Sequence, residues 1–268
     1  MVAIGLVGCG AIGTRLAKEI ERRFRGTARL SGIYDDNPKA AQRLKRQLRT
    51  SVPILPPSQL IRRSDLLIEA ASARAVSELL PEAISARRAM MVMSTGGLLR
   101  RPQLLRKAAA ARIPIYLPSG ALVGLDGIKA AAVGTLRSVT LTTRKPPRAF
   151  SGAPGVTRRR IALNRIRTPR LLFEGSAKEA VAAFPQNVNV AATLSLAGIG
   201  ARRTRVRVIA DPTIRENLHD LEAVGSFGKL AVRTENRPSK ENPKTSRLAV
   251  LSAIATLRQV LTPLKVGT

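Results

Sequence analysis

The sequence is short of several residue types, and each shortage excludes a class of protein. Cys9 is the single cysteine among 268 residues. This excludes an intramolecular disulfide and a zinc site built from thiolates, so we expect no metal site and a reducing, cytoplasmic compartment. There is no Trp, and only two Tyr and five Phe occur. These are too few for the interleaved aromatic and basic residues that stack the bases of single-stranded nucleic acids.

Long apolar runs and acidic residues are scarce too. No uninterrupted apolar segment approaches the length that spans a bilayer, and the first residues lack the charged start of a secretory signal. We therefore expect no membrane segment and no export signal. Only 17 Asp+Glu stand against 46 Lys+Arg, which gives a net charge of +29. This charge attracts anions of every kind, so it does not separate a nucleic-acid binder from an enzyme with acidic substrates.

The first part of the chain alternates strand-like with helix-like segments. Short apolar segments, several of them rich in β-branched residues, alternate with amphipathic stretches up to residue 117. This alternation predicts a parallel sheet that is covered on both faces. Strands are predicted at 2–7, 30–34, 66–70, 90–94 and 113–117, and helices at 11–25, 38–48, 73–88 and 98–112.

A glycine-rich turn joins the first predicted strand to the first helix. Three glycines have the G-x-G-x-x-G spacing. The first allows the tight turn, the second lets backbone approach a pyrophosphate, and the third lets the helix pack on the strand. The helix start presents free N–H groups to a phosphate. Asp35 ends the next strand, where an acid can accept hydrogen bonds from an adenosine ribose. We assign dinucleotide binding to Gly8, Gly10, Ala11, Ile12, Gly13 and Asp35.

The same acid bears on the choice of dinucleotide. A carboxylate at Asp35 repels the 2′-phosphate of NADP, so NAD is the expected cofactor. Arg15, Lys39 and Arg43 lie nearby in the sequence and keep NADP as the alternative.

After Pro118 the alternation of apolar strand-like segments with helix-like segments gives way to a different sequence pattern. The segments 204–209 and 229–235 alternate charged with apolar residues, which predicts an antiparallel sheet with one face in water. Asn242 and Pro243 predict a helix start, and an apolar periodicity continues over 248–261. We therefore expect an α/β fold with a second α+β domain. The predicted parts are a Rossmann-type, doubly wound dinucleotide-binding domain at 1–118, an α+β substrate and dimerisation domain at 119–245, and a helix that closes the molecule at 246–268.

His219 is the only histidine. Imidazole titrates closest to neutrality, so it is a natural proton carrier for redox chemistry at carbon, and a structural histidine is the alternative. Three other segments favour a functional role. The segment 118–126 follows the last parallel strand, where ligands of open α/β sheets bind. The segment 184–191 places two amides among apolar residues, and 242–246 offers a cation and two hydroxyls at a helix start.

With these segments the chain resembles the L-aspartate dehydrogenase family along nearly its whole length. Seven ordered segments carry the resemblance: GCGAIG, PSGA-x-x-GLD, TTRKPP ending at Pro147, FEGSA at 173–177, FP-x-N-x-NVA, ADP-x-x-x-x-N-x-H, and ENPKTS at 241–246. The resemblance implies NAD(P)-dependent oxidation of L-aspartate to iminoaspartate. That product hydrolyses to oxaloacetate and ammonia, or passes to quinolinate synthesis for NAD. Members of the family are generally homodimers.

The resemblance also implies roles for single residues. It makes His219 the catalytic residue and places Ala121 and Asn189 against the nicotinamide. We expect His219 to accept a proton as the amine becomes an imine, and then to activate water for hydrolysis.

The two substrate carboxylates need a site of their own. We expect Lys244 and Thr245 to bind them, with Ser119 and Asn217 as further candidates.

Two other functions stay open at this stage. One is a related oxidoreductase for another amino-acid-like substrate, such as a homoserine dehydrogenase or a dihydrodipicolinate reductase, although the latter should show paired histidines. The other is a non-catalytic protein that binds NAD or a polyanion. The basic stretch 151–170 would serve the second function, but we expect a solvated, flexible loop around Arg158–Arg160 and no nucleic-acid partner.

Overall fold

The structure, a computed structural model, describes residues 1–185, 189–239 and 246–267. The chain divides into two compact units. The first consists of Met1–Pro118 and Val250–Lys265, and the second of the described residues of 119–249 with Val266 and Gly267. No helix in the described ranges is both long enough and apolar enough to cross a membrane.

The first unit is built on a parallel sheet. Its strands are β1 (Val2–Val7), β2 (Ala28–Tyr34), β3 (Leu66–Glu69), β4 (Ala89–Val92) and β5 (Ile115–Tyr116). Its helices include α1 (Ala11–Arg23), α2 (Pro38–Gln47), α3 (Pro57–Arg62), α4 (Ala73–Ser85), α5 (Gly96–Leu99) and α6 (Pro102–Ala110). The strand order is β2-β1-β3-β4-β5, and every neighbouring pair is parallel. This doubly wound, Rossmann-type arrangement confirms the predicted fold.

Side-chain alternation explains why both faces of this sheet are covered. In β1, Ile4 and Leu6 belong to one buried cluster, whereas Val7 belongs to another. Successive strand residues point to opposite faces, so an all-apolar strand needs helices on both sides. The last described helix meets part of this need, because its Ala253 and Leu257 lie in the cluster of Ile4 and Leu6.

One predicted helix of this unit is wrong. The segment 98–112 forms two helices, α5 and α6, instead of one. Pro102 lacks the N–H that would continue the first helix, and it occupies the first turn of the second. The other predicted boundaries differ from the observed ones by a few residues.

The second unit is built on a mixed sheet. Its strands are β6 (Leu136–Lys145), β7 (Arg170–Ser176), β8 (Arg205–Ala210), β9 (Asn217–Gly225) and β10 (Gly228–Asn236), in the order β10-β9-β6-β8-β7. Its helices include α7 (Leu125–Val133), α8 (Pro154–Thr157), α9 (Ala177–Ala183) and α10 (Asn189–Ala197). The prediction of an antiparallel sheet is wrong at one pair, because β6 and β8 are parallel. The long connection through β7, α9 and α10 returns the chain in the direction of β6, as a parallel pair requires.

One face of this mixed sheet is buried and apolar over most of its length. Val139 and Leu141 of β6 and Leu221 and Ala223 of β9 are almost inaccessible to solvent. The start of α7 lies against this face, since a Cβ at Gly124 would be 3.4 Å from Leu221.

The basic stretch 151–170 is not the simple solvated loop that we predicted. Its apolar residues Val156 and Ile166 are buried, as is the preceding Phe150, whose ring meets Phe184 edge-on at 5.9 Å. Arg159 donates a hydrogen bond to the Leu172 carbonyl at 3.0 Å. The arginines themselves are exposed, so apolar anchors hold the stretch against the unit while its charges face water.

The last described helix, α11 (Arg247–Leu261), bears out the periodicity over 248–261. The predicted helix start at Asn242 and Pro243 lies outside the described residues.

Candidate active site

The glycine turn has the geometry that its spacing predicts. Gly8 adopts a φ of +98°, and a Cβ there would lie 2.5 Å from the Ala70 carbonyl oxygen. A Cβ at Gly13 would collide with the Gly8 carbonyl. At Gly10, by contrast, no atom lies within 4 Å of where a Cβ would stand. The turn is therefore closed toward the protein and open at Gly10, which fits a pyrophosphate at the start of α1 with its Ala11 and Ile12 amides.

Asp35 stabilises the glycine turn through hydrogen bonds to backbone amides. Its carboxylate accepts hydrogen bonds from the Cys9 amide at 2.7 Å and from the Asn37 amide at 2.8 Å. Burial and the charge of Asp35 raise the pKa of the Cys9 thiol to about 12, so this cysteine is an unreactive filler. Asp35 lies at the end of β2, directly beside the turn, as an acid for the ribose should.

Glu69 is a structural acid of this region that the sequence analysis missed. It ends β3 and is fully buried. Its carboxylate accepts hydrogen bonds from the Ala71 amide at 2.8 Å, the Ser94 amide at 3.0 Å and the Ser94 hydroxyl at 2.8 Å. These bonds hold the segment after β3 against which Gly8 packs. The sequence did contain a signal for this residue, because Glu69 is an acid at the end of an otherwise apolar strand.

His219 lies on β9, facing the buried side of the mixed sheet. It is 2% exposed, and a 3.1 Å hydrogen bond joins its Nδ1 to the Thr143 hydroxyl directly across the sheet on β6. No described residue forms a hydrogen bond with Nε2, so that nitrogen is the one left for a substrate proton. Burial, and then the positive charge of Lys145, lower the pKa of His219 to about 3. The imidazole is therefore neutral at neutral pH, and burial and Lys145 oppose its protonation in the absence of a ligand.

Lys145 ends β6 and is also missed by the sequence analysis. It lies two residues beyond Thr143, on the same buried face, and is 5% exposed. Burial lowers its pKa from the ordinary 10.5 to about 8. The TTRKPP segment contains this lysine, but only the strand alternation places it beside the histidine.

Two asparagines complete a row across three strand ends. The register that pairs Arg144 with Leu218 places Lys145 across from Asn217, which in turn pairs with Asn236 of β10. Both amides are buried. Together, five side chains form what we call the strand-end cluster: Thr143, Lys145, Asn217, His219 and Asn236.

The strand-end cluster is tied to two segments that the sequence analysis singled out. The Asn236 amide donates to the Ala121 carbonyl at 3.0 Å, and the Asn217 amide donates to the Ser246 hydroxyl at 3.4 Å. Asn236 therefore fixes the PSGA segment beside the cluster, a role that its sequence position did not reveal.

The PSGA segment also lies against the start of α10. Gly120 has a φ of +68°, and a Cβ there would be 3.6 Å from the Val190 side chain, the neighbour of Asn189. The Ser119 carbonyl accepts a hydrogen bond from the Leu122 amide at 3.3 Å, which closes the turn. Ser119, Ala121 and Asn189 thus belong to adjoining segments of one unit. Lys244 and Thr245 lie outside the described residues.

The ADP segment before β9 forms a fixed turn. The Asp211 carboxylate accepts from the Thr213 amide at 2.9 Å and hydroxyl at 2.6 Å, and pairs with Arg144 at 3.2 Å. Burial opposes ionisation, but these hydrogen bonds and the Arg144 charge hold the pKa of Asp211 below its usual value. The turn positions the chain where it enters β9.

Comparison with known proteins assigns the family. A profile described as "Aspartate dehydrogenase, C-terminal" matches residues 126–260. L-Aspartate dehydrogenase of Methanosarcina barkeri is 47% identical and covers 100% of both chains. L-Aspartate dehydrogenase 3 of Bordetella bronchiseptica is 39% identical over 100% of this chain and 98% of its own. The chain belongs to the L-aspartate dehydrogenase family. This confirms the predicted resemblance.

The other comparisons concern cofactor and fold. A profile described as "Homoserine dehydrogenase, NAD binding domain" matches residues 8–118, so the first unit is an NAD-binding domain. The crystal structure of aspartate dehydrogenase from Thermotoga maritima matches with a TM-score of 0.75 over 100% of both chains, at 23% identity. The predicted fold class and the NAD cofactor are thereby confirmed. The roles of individual site residues stay predictions.

Proposed function

We propose that this chain catalyses the NAD-dependent oxidation of L-aspartate to iminoaspartate, which hydrolyses to oxaloacetate and ammonia. The observation that carries the proposal is the strand-end cluster, in which a neutral, hydrogen-bonded His219 lies beside the buried cation of Lys145. A proton acceptor next to a positive charge suits an amino acid whose amine is oxidised and whose carboxylates need a counter-charge. The names of the relatives support the same reaction.

The residues proposed for the pyrophosphate and ribose of NAD belong to the first unit, and His219 and Lys145 belong to the second. The open backbone at Gly10, the first-turn amides of α1 and the Asp35 carboxylate would hold the pyrophosphate and ribose. When bound, NAD supplies the hydride acceptor. The placement of Ala121 and Asn189 against the nicotinamide rests on the family resemblance.

His219 accepts the proton that leaves the substrate nitrogen as the C=N bond forms. The Thr143 hydroxyl occupies Nδ1 and so orients the ring, which assigns the proton to Nε2. After oxidation, Nε2 of His219 releases this proton to solvent and becomes neutral again. It can then act as a general base toward the water that attacks the imine.

NAD, not NADP, is the proposed dinucleotide. Asp35 already accepts two backbone hydrogen bonds, which fix its carboxylate where the 2′-phosphate of NADP would be repelled. The proposed assembly is a homodimer, and the proposed compartment is the cytoplasm. Both rest on the family resemblance and on the single cysteine. The supply of iminoaspartate to NAD biosynthesis is likewise a proposal from the resemblance.

The decisive experiment measures NADH formation by purified protein with L-aspartate at alkaline pH. NADP⁺ serves as the alternative cofactor, and D-aspartate, L-glutamate and L-homoserine serve as substrate controls. We expect turnover with L-aspartate and NAD⁺. Turnover only with another substrate would replace the proposed reaction by that of a related oxidoreductase, and NAD binding without any turnover would favour the non-catalytic function.

The role of His219 is tested by His219→Gln. We expect turnover to fall by about 10²- to 10⁴-fold, the range for loss of a general base. The binding of NADH, followed by its fluorescence, should be unchanged, because the expected pyrophosphate and ribose site at Gly8–Gly13 and Asp35 does not include His219. Near-normal turnover of the variant would contradict the assigned role.

A further inference from the structure

Lys145 is a buried cation for which no described residue provides a counter-ion. In the part of the chain that the structure describes, its ammonium forms neither a hydrogen bond nor an ion pair. Asp211, whose amide donates to the Lys145 carbonyl, has its carboxylate paired with Arg144 at 3.2 Å and with Thr213. An ammonium that has left water without a partner makes the folded state less stable. Lys145 therefore does not contribute to stability as an ordinary structural ion pair would.

The neighbours of Lys145 are arranged for a polar ligand. Further along the same face, β6 carries only apolar residues such as Val139 and Leu141, whereas the polar side chains gather at the strand ends. There Asn217 lies across from Lys145, and His219 lies two register pairs further in, on the same face. A cation, an amide and an imidazole are thus held on rigid strands on one side of the sheet.

We propose that the ammonium of Lys145 binds a carboxylate of the amino-acid substrate next to His219. The inference rests on the proposed function and deepens it, because it names the group that selects an acidic substrate. A charge-assisted hydrogen bond from Lys145 to a carboxylate would supply a counter-charge that no described residue provides. It would also neutralise the positive charge that opposes protonation of His219, so that the base gains basicity when the substrate is in place.

The test compares Lys145→Met with Lys178→Met. Methionine has a similar length without the charge, and Lys178 is an exposed lysine on α9 of the same unit. Three properties are measured for each variant: thermal unfolding, NADH binding, and the KM and kcat for L-aspartate. Succinate, a dicarboxylate without an amine, serves as a non-reacting probe in calorimetric titrations of the NADH-loaded enzyme.

For Lys145→Met we expect kcat/KM for L-aspartate and the affinity for succinate each to fall by about 10- to 100-fold, as for the loss of a hydrogen bond to a charged group. NADH binding should be unchanged and thermal stability equal or higher. Lys178→Met should match the wild type throughout. Unchanged succinate affinity in Lys145→Met would overturn the proposal. Loss of folding in both Lys145→Met and Lys145→Gln would overturn it as well, because it would make the lysine structural.

L-Asparagine distinguishes the two carboxylates of L-aspartate, because it lacks the β-carboxylate. If Lys145→Met removes the preference for L-aspartate over L-asparagine as an inhibitor or substrate, Lys145 binds the β-carboxylate. If both ligands weaken equally, it binds the α-carboxylate. Should the wild type fail to oxidise L-aspartate, the proposed function fails, and the succinate titrations still decide whether Lys145 binds a carboxylate.

Discussion

At the scale of single residues, the hydrogen bond between Thr143 and His219 is the contact on which we expect the proposed chemistry to depend. A buried imidazole needs a partner that fixes its ring and its tautomer. The Thr143 hydroxyl provides one at 3.1 Å from Nδ1. His219 alone could have been a structural histidine, but its open Nε2 and its burial beside a cation favour proton transfer.

Thr143→Val should slow catalysis without abolishing it. The variant keeps the shape of threonine but loses the hydrogen bond, so we expect kcat to fall by about tenfold and stability by about 1 kcal/mol. Thr143→Ser should restore most of kcat. Thr142→Val, on the opposite side of β6, is the matched control. Equal effects of the two valine variants on kcat would show that Thr143 does not position His219.

The lowered pKa of Lys145 predicts that the free energy of unfolding depends on pH. Its pKa is about 8 in the folded state against 10.5 when exposed, so the folded protein releases this proton first as the pH rises. The unfolded state then binds more protons, and stability increases with pH between about 8 and 10.5. The full interval corresponds to roughly 3 kcal/mol. His219 and Asp211, the nearby titratable groups, have low pKa values and do not change charge in this range.

Urea unfolding of the wild type and Lys145→Met measures this effect. We expect Lys145→Met to be the more stable protein at pH 7, and its advantage should shrink as the pH approaches 10. Lys178→Met should show a constant difference from the wild type. A constant difference for Lys145→Met as well would contradict the depressed pKa.

At the scale of secondary-structure elements, we expect Gly8 and Gly10 of the β1–α1 turn to have different roles, one in folding and the other in ligand binding. Gly8 is needed by the fold, because its positive φ and its contact with Ala70 exclude a side chain. Gly10 has open space around it, so the fold does not require its lack of a side chain. We therefore predict that Gly8 serves the fold and that Gly10 serves the ligand.

Gly10→Ala and Gly8→Ala should differ accordingly. We expect Gly10→Ala to keep its stability within about 0.5 kcal/mol and to weaken NADH binding by roughly tenfold or more, the equivalent of losing a charge-assisted hydrogen bond. Gly8→Ala should lose about 2 kcal/mol or more of stability through backbone strain. Thermal unfolding and NADH titration of both variants measure this. Normal NADH affinity in Gly10→Ala would argue against a pyrophosphate at this turn.

At the scale of the whole molecule, charge of one sign dominates. With a net charge of +29, mutual repulsion opposes the compact state, and salt screens that repulsion within a Debye length of about 8 Å at physiological ionic strength. We expect the melting temperature to rise by several degrees between low and physiological sodium chloride. Sodium sulfate at equal ionic strength is the control for specific anion binding. A melting temperature that falls with added chloride would show that the few ion pairs outweigh the repulsion.

Local pattern was sufficient for much of the fold and for part of the site. The glycine spacing, the apolar strand before it and Asp35 predicted an NAD-binding unit, because these features act over one strand, one turn and one helix. His219 was proposed as the catalytic residue from its chemistry together with the family resemblance. Strand alternation in 204–209 and 229–235 also predicted that β8 and β10 have one face in water, since side chains alternate every two residues.

Only the tertiary structure decided which residues surround His219. Thr143 is 76 positions away in sequence, and its contact with the histidine depends on the register between β6 and β9. Lys145 joins the strand-end cluster through the same register, and Asn236 joins it through the register between β9 and β10. The parallel pairing of β6 with β8 follows from a long connection. Sequence periodicity determines which way a side chain faces along its own strand. It does not determine which strands are neighbours, because that choice is made by the packing of the whole unit.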